Sequence, residues 1–162
     1  MKRLQHNWPA LPLLTSAALL FVVFLFLAGR TNPLSLDDGL RHMRMAQIIR
    51  DQGIASVGGW GDSLYFGFFA ETNTDPWFLS HIFTIPFTYL PLVTAQKAFV
   101  LASTALLLLS FLLVLRNRGV RPVTACILSA LLLLGEPVFF GRLLVARPLL
   151  LMTAVTLLVL LS

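Results

Sequence analysis

From Ala10 to Gly29 the chain runs for twenty residues without one charged side chain. At 1.5 Å per helical residue such a run reaches about 30 Å, the thickness of a bilayer's hydrocarbon core. Lys2 and Arg3 stand just before it. A basic start and an apolar run also describe a secretory signal peptide. This run, however, is longer than a signal's apolar part, and Leu27-Ala28-Gly29 makes a poor small-x-small cleavage site. These features predict an uncleaved first membrane helix over 10–29, with residues 1–9 held in the cytoplasm by their basic side chains. The remainder of the chain agrees: 57% of its residues are hydrophobic and only 12% charged, too little polar surface for a soluble domain.

Two further runs follow from the same rule. Residues 98–115 predict a second span, which ends in the basic loop 116–121 with Arg116, Arg118 and Arg121. Residues 122–135 predict a third, an outer loop follows over 136–142, and a fourth span covers 143–162. Both cytoplasmic pieces then hold basic residues and no carboxylate, while all seven carboxylates lie on the other side. That is the charge asymmetry of a protein with cytoplasmic loops rich in Lys and Arg, here with both termini inside the cell's inner or plasma membrane.

Between the first two spans lies a long non-cytoplasmic loop, 30–97, with six of the seven acidic residues. Its stretch from Ser35 to Gly53 predicts a helix over 37–52. Ser35 or Asp37 caps it, Asp37 and Asp38 face the positive helix end, and Gly53 stops it. Leu40, Met43 and Ile49, with Leu36 before them, recur near one stripe, so the helix is expected to be amphipathic. Glycines at 58, 59, 61 and 67 alternate with Trp60, Tyr65, Phe66, Phe68 and Phe69, which predicts an ordered aromatic loop. Residues 77–94 are apolar enough to enter lipid, but Pro86 and Pro91 interrupt them, and counting them as a span would turn Arg116–Arg121 outward. They are expected to form an interfacial or re-entrant helix, with Trp77 and Tyr89 at the headgroup boundary. The fold class expected is all-α integral membrane, with about four transmembrane helices plus amphipathic and interfacial helices in a long first outer loop.

Several chemistries are disfavoured. The net charge of +5 comes from twelve Lys and Arg residues scattered in ones and twos, which argues against nucleic acid as a partner. A single cysteine, Cys126, excludes an intrachain disulfide and a cysteine metal knot. There is no Walker loop, GxSxG, HExxH or CxxC.

Chemistry is therefore sought among the outer polar residues: Asp37, Asp38, Arg41, His42 and Arg44 of the first loop and Glu136 of the second. Carboxylates abstract protons or hold divalent cations, and guanidinium groups pair with phosphate oxygens. Asp38 and His42 are four residues apart and share a helical face. The competing account is ordinary capping and surface pairing. Arg142 and Arg147, at the outer start of the fourth span, suit either an anionic headgroup or phosphate or simple snorkelling. His81, inside an apolar stretch, is expected to be a hydrogen-bonded structural residue.

The order of these pieces resembles the amino-terminal part of the GT-C membrane glycosyltransferases, the superfamily of oligosaccharyltransferase catalytic subunits, protein O-mannosyltransferases and lipid A aminoarabinose transferases. The pieces that carry the resemblance are Asp37-Asp38 soon after the first span, the helix DDGLRHMRMAQIIRDQG, the segment DPWFLSHIFTIPFTYL before the second span, and ARPLLL at the fourth. The resemblance implies transfer of a sugar from a polyprenyl-phosphate donor to an acceptor at the outer membrane face. By position Asp37 or Asp38 would match the family's first-loop acid, which acts as general base or orients the acceptor. Glu136 would match a second-loop acid that binds metal in some members, and Arg142 or Arg147 the donor-phosphate contacts. Metal use differs across the superfamily, so a divalent cofactor is left open. Family members carry many more helices, so the chain is expected to be an amino-terminal portion that works with further membrane helices or a partner subunit. Two other readings stand beside this one: a non-catalytic membrane subunit whose outer loop binds a partner, and a transporter, the latter weakened because no charge sits mid-span.

Overall fold

The computed structural model of the chain describes residues 10–29, 37–54, 78–135 and 149–159. These form α1 (Leu11–Gly29), α2 (Asp37–Gln52), α3 (Phe78–Thr84), a 3-10 turn (Ile85–Tyr89), α4 (Leu92–Asn117), α5 (Pro122–Leu134) and α6 (Leu149–Val159), with no strand among the described residues. Two helices are long and apolar enough to cross a membrane, α1 with 19 residues and α4 with 26. The expected span 98–115 lies inside the longer α4. In the stretches expected to hold a third and a fourth span the described helices are shorter: α5 has 13 residues and α6 has 11, about 20 Å and 16 Å of rise. The aromatic loop expected around Trp60 to Phe69 lies outside the described residues.

Local chemistry explains the joints. After Asn117 the backbone turns through Gly119, whose φ of +70° only glycine adopts without strain. Val120 N–H donates to Leu115 O and Gly119 N–H to Arg116 O, both at 3.0 Å, the paired bonds that close a helix on a left-handed glycine. Pro122 then opens α5, where its missing N–H is no loss. At the other end of α4, Pro86 and Pro91 prevent α3 from running on into it. The chain tightens into the 3-10 turn at Ile85 and restarts at Leu92.

α1 packs beside α4 and α5, and α6 beside α4. Leu19, Val23 and Leu27 of α1 interdigitate with Ala95, Phe99, Val100, Leu107 and Leu108 of α4, Leu133 of α5 and Ala154 of α6. Thr15 Oγ1 donates to Cys126 Sγ at 3.2 Å, which sets the start of α1 beside the start of α5 and so near the basic turn Arg116–Arg121. Small residues line these seams: Ala125 and Ser129 on α5, Ser103 and Thr104 on α4. Thr104 and Ser110 satisfy their hydroxyls on the carbonyls of Val100 and Leu106 one turn back. The outer faces are as apolar as the inner ones. Val123, Ile127 and Leu131 stand exposed along α5, and Phe21, Phe24 and Leu25 along α1, the reverse of a helix that meets water.

The far end of α4, its beginning, carries a second and different assembly. There α2, α3 and the 3-10 turn pack on one another, and α2 and the turn both pack on α4. Met43 of α2 joins the main buried cluster through this end. The basic turn lies at the opposite end of α4, about 39 Å away along 26 residues of helix.

Candidate functional site

α2 forms where expected and ends as expected. Gly53, at φ +83°, donates its N–H to Ile49 O at 2.9 Å. Its buried side consists of His42, Met43, Met45, Ala46 and Ile49, while Arg41 and Arg44 are exposed. The imidazole is therefore sequestered with the apolar side chains, and the two neighbouring guanidinium groups are not.

His42 finds its counterpart 39 residues away. Its Nδ1 lies 2.7 Å from Nε2 of His81 on α3, with ring centroids 5.0 Å apart and planes tilted by 37°. The rings meet nitrogen to nitrogen rather than face to face. At that distance one nitrogen carries the proton and the other accepts it. His42 is 7% exposed and His81 1%, so the contact is dry on both sides. In this setting an unshared imidazole nitrogen is costly, which makes the pairing a strong determinant of how α2 meets α3.

A second tie lies two turns further along α2. Arg50 Nη1 donates to Thr88 O at 2.8 Å and to Thr88 Oγ1 at 3.1 Å, and the guanidinium carbon sits 5.0 Å from the centroid of the Tyr89 ring. Arg50 Nε also pairs with Asp51 Oδ1 at 2.7 Å. The hydrogen bond with Asp51 holds the Arg50 guanidinium above its ordinary range, and the same bond holds the Asp51 carboxyl below its own. Both groups are solvated enough that the pair does more for geometry than for stability.

The third element is on α4. Gln96 is 1% exposed, and neither its Oε1 nor its Nε2 has a hydrogen-bond partner among the described residues. It stands one turn before Phe99, whose ring meets Phe87 of the 3-10 turn edge-on at 5.6 Å. A buried amide with its donors and acceptor unused is uncommon in a settled core and marks a place where a polar group from elsewhere fits.

The residues expected to form a site are thus distributed unevenly. Asp37 and Asp38 occupy the first turn of α2, with their side chains outside the description. Glu136, Arg142 and Arg147 lie outside the described residues. Arg41 is exposed, and Arg44 donates to Gln47 Oε1 at 3.3 Å on the exposed side of α2. Of the three members whose side chains are described, Arg41, His42 and Arg44, it is His42 that enters a buried polar contact, and its partner His81 is the residue that the sequence marks as a hydrogen-bonded structural one. Arg50, Thr88 and Gln96 were not singled out by the sequence. Among the described residues no three His, Cys, Asp or Glu side chains converge. Comparison of the chain with family models, curated proteins and solved structures finds no match.

Proposed function

We propose that this chain is an integral membrane protein of four spans, two of them α1 and α4, and that it forms the acceptor-handling amino-terminal part of a GT-C type glycosyltransferase. In this reading α5 and α6 are the cores of the third and fourth spans, and both termini face the cytoplasm. The exposed apolar faces of α1 and α5 support lipid contact. The position of the basic turn, at the end of α4 away from α2 and α3, supports an inward turn and an outward module. Leu79 and Phe83, one turn apart and exposed on α3, with Tyr89 and Leu90 after them, suit an interfacial element resting on the outer leaflet.

The observation that carries the functional reading is the docking of α2. The His42–His81 contact and the Arg50–Thr88 bonds hold that helix at the outer end of the bundle. Its first turn, with Asp37 and Asp38, therefore starts from a fixed scaffold. A carboxylate so placed serves as base or orienting group for an acceptor hydroxyl or amine, while a polyprenyl-phosphate donor approaches from the leaflet. Gln96, buried and with no hydrogen-bond partner among the described residues, offers hydrogen bonds to a polar substrate group at the same end.

The test is the double variant Asp37→Asn, Asp38→Asn, produced to the wild-type level in native membranes. Sugar transfer from the polyprenyl-phosphate-linked pool is expected to fall by about 10²-fold or more. Undiminished transfer would overturn the assignment. If function then proved sensitive to replacement of Leu79 and Phe83 instead, the non-catalytic subunit would take its place.

A further inference from the structure

We propose that the turn joining α4 to α5, with Arg116, Arg118 and Arg121, is a docking site for an anionic phospholipid. Its headgroup phosphate sits among the guanidinium groups and its acyl chains lie along the exposed apolar faces of the two helices. The site rests on α4 being a membrane span, and on neither the direction in which α4 crosses nor sugar transfer.

The first observation is unspent charge. Three guanidinium groups fall within six residues, all three residues are exposed, and none of these groups makes a hydrogen bond or ion pair among the described residues. No carboxylate stands between Asp75 and Glu136 in the sequence, so none is supplied by α4 or α5 themselves. Arg50, beside the beginning of α4, shows the contrast: its guanidinium is taken up by Asp51 and Thr88.

The second observation is a fixed backbone beneath those charges. Gly119 N–H donates to Arg116 O and Val120 N–H to Leu115 O, and Val120 packs on the buried cluster of Leu112, Leu115 and Ala125. Binding therefore orders side chains on a turn that is already set, which keeps its entropic cost low.

The third is the apolar surface on either side. Leu109 and Leu113 stand exposed along α4 up to the turn before Arg116, and Val123, Ile127 and Leu131 recur every four residues along α5 after Arg121. Cations at the helix ends with bare aliphatic side chains leading away from them match the build of a phospholipid, an anion joined to two hydrocarbon chains. Guanidinium is the side chain whose fork fits phosphate oxygens in pairs. In a zwitterionic headgroup the lipid's own cation already balances the phosphate, so the turn selects lipids of net negative charge. Snorkelling alone carries the same arginines to water but makes no choice among headgroups.

The experiment uses the full chain with Cys126→Ser and Thr124→Cys, labelled with a fluorophore at position 124 beside the turn. It is reconstituted into phosphatidylcholine vesicles doped with brominated phosphatidylglycerol or, in parallel, brominated phosphatidylcholine. Bromine quenches on contact, so the doping level at half quenching reads which lipid sits at the turn. The anionic lipid is expected to quench at about tenfold lower content or less. Arg116→Gln, Arg118→Gln and Arg121→Gln should each cut this preference about fivefold, the factor one basic residue contributes near an anionic surface. Replacing all three by Lys keeps the charge but not the fork, and should cost about threefold. Arg44→Gln, which removes one exposed charge from α2 at the other end of α4, should change nothing. Equal quenching by the two lipids in the unsubstituted turn overturns the proposal without reliance on any arginine variant. So does a lysine variant that matches the wild-type turn, which would reduce the site to diffuse attraction, or an Arg44→Gln loss as large as those of the turn. A chain that alkaline carbonate washes off the vesicles refutes the membrane span along with the site, whereas one that stays inserted without preferring the anionic lipid refutes the site alone.

Discussion

The helices α1, α4 and α5 meet through side chains that ask little of one another, whereas α2 meets α3 and the 3-10 turn through particular atoms. In the bundle, Leu19, Val23, Leu107 and Leu133 fill space, and Thr104 and Ser110 spend their hydrogen bonds within their own helix. At the beginning of α4, where α2 docks, His42 needs His81, and Arg50 needs Thr88. The first kind of contact tolerates sliding and repacking, because one apolar surface resembles another. The second fails if either partner moves by an ångström. A chain that only had to fill a bilayer would have no use for the second kind. Among the described residues such contacts gather at the α2 end of α4, against the single Thr15–Cys126 bond in the bundle, which separates a part joined mainly by apolar packing from a part joined by particular polar atoms.

The largest effect should come from the bundle. Leu107 is fully buried on α4, and Leu107→Ala leaves a cavity that lipid cannot fill. The transfer component is small where the surroundings are as apolar as leucine, so the loss is mostly that of packing, about 2 kcal/mol. Leu109→Ala, two residues on and half exposed, should change stability by no more than about 0.5 kcal/mol. Thermal unfolding in detergent compares the two. Equal losses would mean that the exposed side of α4 is covered by protein and not by lipid.

This same contrast explains what could be read from the sequence. Apolar runs report themselves, because every residue in them carries the signal. That is why a first helix over 10–29 and a second over 98–115 are visible in advance, although the second begins at Leu92, inside the stretch 77–94 expected to form an interfacial helix, and why the prolines at 86, 91 and 122 mark the breaks. The helix at 37–52 is legible for another local reason, an acidic first turn and a glycine stop. The pairing of His42 with His81 has no local signal at all. Nothing in the residues around either one tells that a ring 39 positions away will arrive at 2.7 Å, and an apolar neighbourhood suggested only that His81 is buried. Gln96 was hidden for the opposite reason. A single amide at the start of a long apolar helix looks like an ordinary polar end until the 3-10 turn and α2 are seen to pack on that helix and the amide is found buried. How Asp37 and Asp38 stand to Glu136, Arg142 and Arg147 depends on packing beyond the described residues, which no spacing rule supplies.

An intermediate effect, opposite in sign, is expected at Gln96. Its amide is buried with no partner among the described residues, so the folded chain carries the full desolvation cost of the group. Gln96→Leu keeps similar volume and removes that burden, and the protein should gain about 1–2 kcal/mol in thermal or denaturant unfolding. If the residue serves a substrate, the stabilised variant should also lose activity, the usual exchange at a site kept for function. A destabilised variant would place Gln96 with the satisfied polar groups.

The smallest effect tests whether the ties of Arg50 to Asp51 and to Thr88 are independent of one another. Asp51 is held below the ordinary carboxylate range chiefly by its hydrogen bond from Arg50, so the charged form is the one that folding favours. The contribution is then fully present above the ordinary value, near pH 4, and fades as the pH falls through the lower, folded value. Arg50 is held above its own range, so its share is present at all lower pH and is lost only in strong alkali. Comparing wild type with Asp51→Asn between pH 3 and pH 7 removes the carboxylates common to both. Their melting temperatures are expected to differ slightly at neutral pH and to converge in acid. The bonds from Arg50 to Thr88 use a different nitrogen from the closest contact with Asp51, so protonating Asp51 should leave α2 docked. Hydrogen exchange in the last turn of α2 at the acid end of that range reads this directly. Protection that vanishes along with the Asp51 charge would show that the carboxylate, and not the Thr88 bonds, holds the guanidinium in place.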